Sequence, residues 1–164
     1  MRIEDYALIG DCETAALVSR EGSIDWLCWP RFDSAACFAA LLGTPENGRW
    51  RLSPKNEFRT SRAYRPKTLI LETDFETAEG EVRVIDFMPV RNGASDLVRI
   101  VEGRRGRVPM ELELVLRFDY GASVPWVTRL EGGHGIRAVA GPDKVKLYSP
   151  VRLEGDHPAQ APYR

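Results

Sequence analysis

The chain is 164 residues long, with 23 Lys+Arg against 24 Asp+Glu (net charge -1), and is 43% hydrophobic and 29% charged. That length supports one domain with a real core, and the charge balance supplies neither the basic field that phosphate backbones need nor the composition of a disordered chain. No apolar run approaches the roughly 18 residues of a membrane-spanning helix, so neither nucleic acid nor a membrane is an expected partner.

The N-terminal segment carries Glu4, Asp5, Asp11 and Glu13 where a secretory signal needs a basic start and an unbroken apolar run. The expected location is therefore the cytoplasm. Residues 14–19 and 23–29 flank Arg20-Glu21-Gly22 and read as a hairpin. Residues 33–43 break this pattern. Asp33 or Ser34 can cap a helix start and Gly43 can take the left-handed closing conformation. Cys37, Phe38, Leu41 and Leu42 would share a helical face, which predicts one short helix over 34–42 packed on the sheet.

A period of two returns at 69–75, with Leu69, Leu71, Thr73 and Phe75 on one face, and again at 81–88. Thr77-Ala-Glu-Gly80 between them is a turn signal, so the two runs form a second hairpin. Pro89 and Asn92-Gly93 precede a run at 97–101. The clearest alternation is 111–120: Leu112, Leu114, Leu116, Phe118 and Tyr120 oppose Glu111, Glu113, Arg117 and Asp119, with Val115 the one apolar intruder. It reads as a half-buried strand. Short runs at 126–130, 135–139 and 144–148 follow, separated by Gly132-Gly133 and Gly141-Pro142-Asp143. The pattern predicts an all-β fold, an antiparallel supersandwich-like β-sandwich with the one short helix. The Pro-rich end has no such pattern. The sandwich domain is expected over 1–155, with 156–164 a disordered or cut tail.

Cys12, Cys28 and Cys37 are odd in number and form no CxxC, which suits buried reduced thiols rather than disulfides. His134 and His157 lie far from them in Gly-rich or Pro-flanked segments, so no metal site and no cofactor is expected. No GxSxG, P-loop or HExxH motif occurs. Asp25, Asp33, Asp86 and Asp119 sit beside aromatics, but each has a structural reading: a turn, a helix cap, a salt bridge and a polar strand face. No catalytic residue is assigned.

The most informative cluster is 22–34. Asp25, Trp26, Trp29, Arg31, Phe32 and Asp33 bring two indoles, a phenyl ring, a guanidinium and two carboxylates within ten residues. Aromatic faces stack on sugar rings, and Arg and Asp hydrogen-bond hydroxyls, so these six are the candidate substrate-binding residues. The competing reading makes Trp26 and Trp29 core anchors, with Arg31 pairing Asp25 or Asp33.

The runs Tyr6-Ala-Leu-Ile-Gly-Asp-Cys-Glu-Thr-Ala-Ala-Leu-Val18, Gly22-Ser-Ile-Asp-Trp-Leu-Cys-Trp-Pro-Arg-Phe-Asp-Ser34 and Phe38-Ala-Ala-Leu-Leu-Gly43 resemble the opening of bacterial and archaeal glycoside hydrolase family 15 proteins, the glucoamylase-like and trehalase-like enzymes. Tyr64-Arg-Pro-Lys-Thr-Leu-Ile-Leu-Glu-Thr73, Val84-Ile-Asp-Phe-Met-Pro89 and Arg117-Phe-Asp-Tyr-Gly121 continue the likeness in order. The resemblance implies an N-terminal β-sandwich followed by a C-terminal (α/α)6 barrel, whose two glutamates hydrolyse α-glucosidic bonds with inversion. This chain has no counterpart of that barrel. The implied role is a non-catalytic domain that packs on the barrel and lends a loop to the pocket that receives the α-glucoside. The alternatives are a stand-alone carbohydrate-binding module and a structural or interaction domain, the latter predicting self-association into a homo-oligomer.

Overall fold

The structure is a computed structural model that describes residues 2–151 and Leu153. Thirteen strands form three antiparallel sheets among the described residues. The first sheet holds β1 (Tyr6–Gly10), β2 (Ala15–Ser19), β3 (Ser23–Cys28), β4 (Ala36–Phe38), β5 (Arg49–Pro54) and β10 (Met110–Val115). Its order is β1-β2-β3-β5-β10, and β3 shares one edge between two partners. Its first half pairs with β5 (Ile24 opposite Trp50) and its second with β4 (Leu27 opposite Phe38). The second sheet is a meander of β6 (Arg59–Tyr64), β7 (Leu71–Thr77), β8 (Gly80–Phe87) and β9 (Val98–Gly106). The third is β11 (Trp126–Arg129), β12 (Gly135–Ala140) and β13 (Asp143–Tyr148).

The hairpin of β7 and β8 shows how the sequence makes these elements. Leu71, Thr73 and Phe75 alternate inward opposite Val82, Val84 and Asp86, while Glu72, Asp74 and Arg83 face out and pair with one another. Thr77 Oγ1 accepts the Gly80 amide (3.1 Å) and donates to the Gly80 carbonyl (3.0 Å), closing the expected turn. Phe75, Val82 and Val84 pack on Leu52 of β5, so the first two sheets stack face to face. A larger cluster joins Ile9, Val18, Ile24, Leu27 and Leu114 of the first sheet to Leu71 of the second and to Val127, Ile136 and Ala138 of the third.

A buried ion pair within the second sheet anchors a guanidinium that reaches the first. Arg99 of β9 and Asp86 of β8 are buried to 1% and 0% side-chain exposure, at 2.8 Å. The guanidinium also donates across the core to the carbonyls of Trp50 (2.7 Å) and Gly22 (2.8 Å). It lies 5.3 Å from the centre of the Trp50 ring.

The all-β antiparallel fold matches the expectation, but the helix over 34–42 does not form. In its place stand β4 and a single 3-10 turn, Ala40–Leu42. Ala36, Cys37, Phe38 and Ala39 are all buried, and a segment buried on every side carries no periodicity to separate helix from strand. Asp33 therefore caps nothing. The long strand over 111–120 ends at Val115, where its partner β5 begins at Arg49. Leu116 and Phe118 stay buried past the end of the ladder, and Asp119 lies in a turn rather than on a strand face. Cys12 is exposed, not buried; Cys28 and Cys37 are buried as expected. The expected tail over 156–164 lies outside the described residues.

Candidate functional site

The six candidate residues separate into two groups because of a bulge. Leu17 pairs with Trp26 and Val18 with Ile24, leaving Asp25 as the extra residue of β3. The shift lets Ile24 and Leu27, three apart, enter the same core. Asp25 itself is buried in the sheet, accepting hydrogen bonds from the hydroxyls of Tyr6 (2.7 Å) and Ser23. Burial and the neighbouring Asp25 carboxylate push the Tyr6 phenol well above its ordinary range. Trp26 is half-buried against Cys28, Ala36 and Ala39. Neither Asp25 nor Trp26 belongs to the loop.

Arg31, Phe32 and Asp33 do come together, on the loop that follows β3 after a cis Trp29–Pro30 bond, whereas Trp29 is partly buried against the main core. Phe32 is 63% exposed. Arg31 Nε donates to Asp33 Oδ1 at 3.0 Å, in solvent. That hydrogen bond and charge hold the Asp33 carboxyl below its usual value. Of the two pairings open to Arg31, the structure has Asp33. Arg31, Phe32 and Asp33 line a cleft of about 310 Å³ with Cys12 and Glu13. Trp29 and Pro30 help line a second, of about 410 Å³, with Ser95, Phe118 and Lys144.

What braces the loop is a network that sequence reasoning missed. Asp11, in the turn between β1 and β2, accepts Arg91 Nε at 2.6 Å and the Ser95 hydroxyl at 3.1 Å. Its other oxygen accepts the amides of Glu13 and Thr14. Arg91 also donates to the Pro30 carbonyl and to Glu13. The Phe32 amide donates to the Glu13 carbonyl at 3.0 Å. Burial alone would raise the Asp11 pKa, but Arg91, the two amides and Ser95 outweigh it and hold the carboxyl at about 2. Asp11 and Arg91 are eighty residues apart, and no local signal links them.

Tyr120, which the alternation of 111–120 sets on the buried face, lies instead half-exposed in the turn Asp119–Gly121 and joins the site, a role the sequence does not suggest. Its ring lies 6.1 Å from that of Trp26 and is tilted by 41°. Asp119 and Tyr120 both sit in the left-handed region (φ 52° and 57°). That conformation is costly for residues with side chains and concentrates at functional positions. It holds a half-exposed tyrosine over the indole.

Carboxylates also meet elsewhere. Glu57 and Glu76 line a cleft of about 480 Å³ at the opposite end of the sandwich, near the Thr77 turn. Both are exposed to solvent. Among the described residues, no group of three or more His, Cys, Asp or Glu is placed to hold a metal ion, and no helix is long and apolar enough to cross a membrane.

A family model described as trehalase-like, N-terminal matches residues 1–155. A trehalase of Mycolicibacterium smegmatis is 44% identical over 85 residues, covering 51% of this chain and 13% of its own length. Trehalase 1 of Sulfolobus acidocaldarius is 33% identical over 132 residues, 80% of this chain and 22% of the relative. Trehalase 2 of the same organism is 30% identical over 161 residues, 98% of this chain and 26% of the relative. The chain thus spans about a quarter or less of the curated relatives it matches. No solved structure matches it significantly.

Proposed function

The chain belongs to the trehalase-like N-terminal domain family, and on that premise we propose that it is the non-catalytic β-sandwich of a longer α-glucoside hydrolase. The observation that carries this reading is the match over nearly the whole chain to the family model and to a relative called a trehalase that is about four times its length. The general acid and base would lie in the remaining polypeptide, in an (α/α)6 barrel, far enough apart to admit the attacking water. The sandwich packs on that barrel and lends the loop 29–33 to the rim of the sugar pocket.

The loop suits that task chemically. The exposed Phe32 ring can stack on the apolar face of a pyranose, and Arg31 and Asp33 can exchange their mutual hydrogen bond for sugar hydroxyls. Arg91 holds the Pro30 carbonyl, so the loop meets substrate with little left to order. Positioning of this kind acts on kcat/KM without any proton transfer by the loop itself.

Two measurements test the reading. Pure 1–164 is expected to release no glucose from trehalose or maltooligosaccharides, and turnover would refute the non-catalytic role. In the full-length enzyme, Trp29→Ala or Arg31→Ala is expected to lower kcat/KM at least tenfold with folding intact. An unchanged value removes the loop from the pocket. Tight oligosaccharide binding by the isolated chain, read from tryptophan fluorescence, would favour a stand-alone binding module instead.

A further inference from the structure

We propose that the solvent face of the sheet β11–β13 is where the remaining polypeptide of the parent protein docks, through a surface of that polypeptide that is acidic with apolar patches. The proposal rests on the domain reading above and names the face and the chemistry of its partner.

The three strands alternate through their centres. Val127, Ile136 and Ala138 enter the core, with Val145 and Leu147 packed against them. The opposite side presents Trp126, Arg137, Lys144, Lys146 and Tyr148, all exposed. The register sets Arg137 directly opposite Lys146, with Lys144 two residues away on the same face. Like charges facing each other across a strand pair are destabilising. No carboxylate alternates onto this face to offset them, and none of the three cations forms an ion pair among the described residues. The outer face of the second sheet is built the other way: Arg83 is paired with both Glu72 and Asp74, and Arg65 with Glu72. A chain of net charge -1 therefore collects on one small sheet three cations that pair with no acid among the described residues.

Aromatic side chains border the cations. Trp126 is 63% exposed and Tyr148 is 70% exposed. Exposed Trp, Tyr and Arg are residue types enriched at interfaces, and the positive charge beside them is complementary to an anionic counterpart. The remaining polypeptide is the occupant that fits. The relatives extend well beyond the matched region, which makes up 13–26% of their length. The last described strand, β13, belongs to this very sheet.

The test compares the intact parent protein with the 164-residue chain. Both are treated with an amine-acetylating reagent and the rates at Lys144 and Lys146 are read by mass spectrometry. Docking predicts labelling at least tenfold slower in the intact protein. Lys146→Glu is then expected to restore the Lys144 rate to that of the isolated chain. The same substitution should hold or raise the Tm of the isolated chain, because it turns a repulsive cross-strand pair into an attractive one. A merely structural lysine would not give that opposition. Trp126→Ala, which leaves the charges in place, should also restore labelling. Equal rates in the two proteins overturn the proposal but leave the domain reading intact if removing 1–164 abolishes activity. Glucose release by 1–164 alone removes the reading and the proposal together. Protection that grows with the concentration of the isolated chain assigns the face to a second copy and overturns the proposal.

Discussion

Replacing Arg99 with methionine tests whether its buried guanidinium, paired to Asp86 and bonded to the Trp50 and Gly22 carbonyls, is what couples the first two sheets. The substitution keeps an unbranched apolar side chain but removes every donor to Asp86, whose carboxylate is fully enclosed. Removing one partner of a buried pair costs about 3–5 kcal/mol, because the other charge is left uncompensated. Against a total stability on the order of 5–15 kcal/mol, that is roughly a fifth or more of the margin. At about 2–4 °C per kcal/mol for a chain of this size, Tm should fall by roughly 6–20 °C. The double variant Arg99→Met with Asp86→Leu removes both charges. Gly22 keeps a donor for its carbonyl in the Leu52 amide (3.0 Å), whereas the Trp50 carbonyl loses its guanidinium. The remaining cost should be about 1–3 kcal/mol. Urea unfolding followed by circular dichroism reads all three proteins, with the slope as a check on two-state behaviour. A single variant that loses less than about 1 kcal/mol, or a double variant as weak as the single, would refute the argument.

Asp11 makes stability acid-sensitive. Its folded pKa of about 2 lies below the ordinary 3.8, so its contribution is complete above pH about 4 and is lost as the pH falls toward 2. That contribution is on the order of 2 kcal/mol, and Asp11→Asn should flatten this part of a pH–stability curve; an unchanged slope would show that Asp11 is not the responsible group. A native thiol titration should count Cys12 alone, and all three cysteines only after denaturation, since burial pushes Cys28 and Cys37 up. Fast native labelling at Cys37 would mean that the β4 region opens. Gly22→Ala should cost at least about 2 kcal/mol, because Gly22 has φ 74° and a methyl group would collide with the Leu52 carbonyl and meet the Phe75 ring. A neutral result by the same urea assay would show that the turn can move.

How much the sequence reveals depends on whether the information is local. The β7–β8 hairpin is legible because one face is core and the other solvent, so side-chain chemistry alternates with position. In 111–120 the alternation correctly marks Leu114, Leu116 and Phe118 as buried, but it reports burial and not pairing. The ladder stops when β5 runs out of residues. The segment around Cys37 is buried on all sides, so its chemistry fits helix and strand equally. At the candidate site, composition finds the loop 29–33 but also draws in Asp25 and Trp26, which the bulge in β3 assigns to the sheet. The brace of that loop was out of reach, because Asp11, Arg91 and Ser95 meet only through the tertiary fold.

The pairing of β5 with β10 has a consequence for biosynthesis. The two strands that meet there are separated by the entire four-strand meander. That meander needs only neighbours in sequence and can assemble as it leaves the ribosome, whereas the first sheet waits for residue 115 before its outer ladder can close. Until then β5 presents a bare edge able to recruit the wrong strand. Nascent chains that stall between β5 and β10 are accordingly the ones most in need of a chaperone.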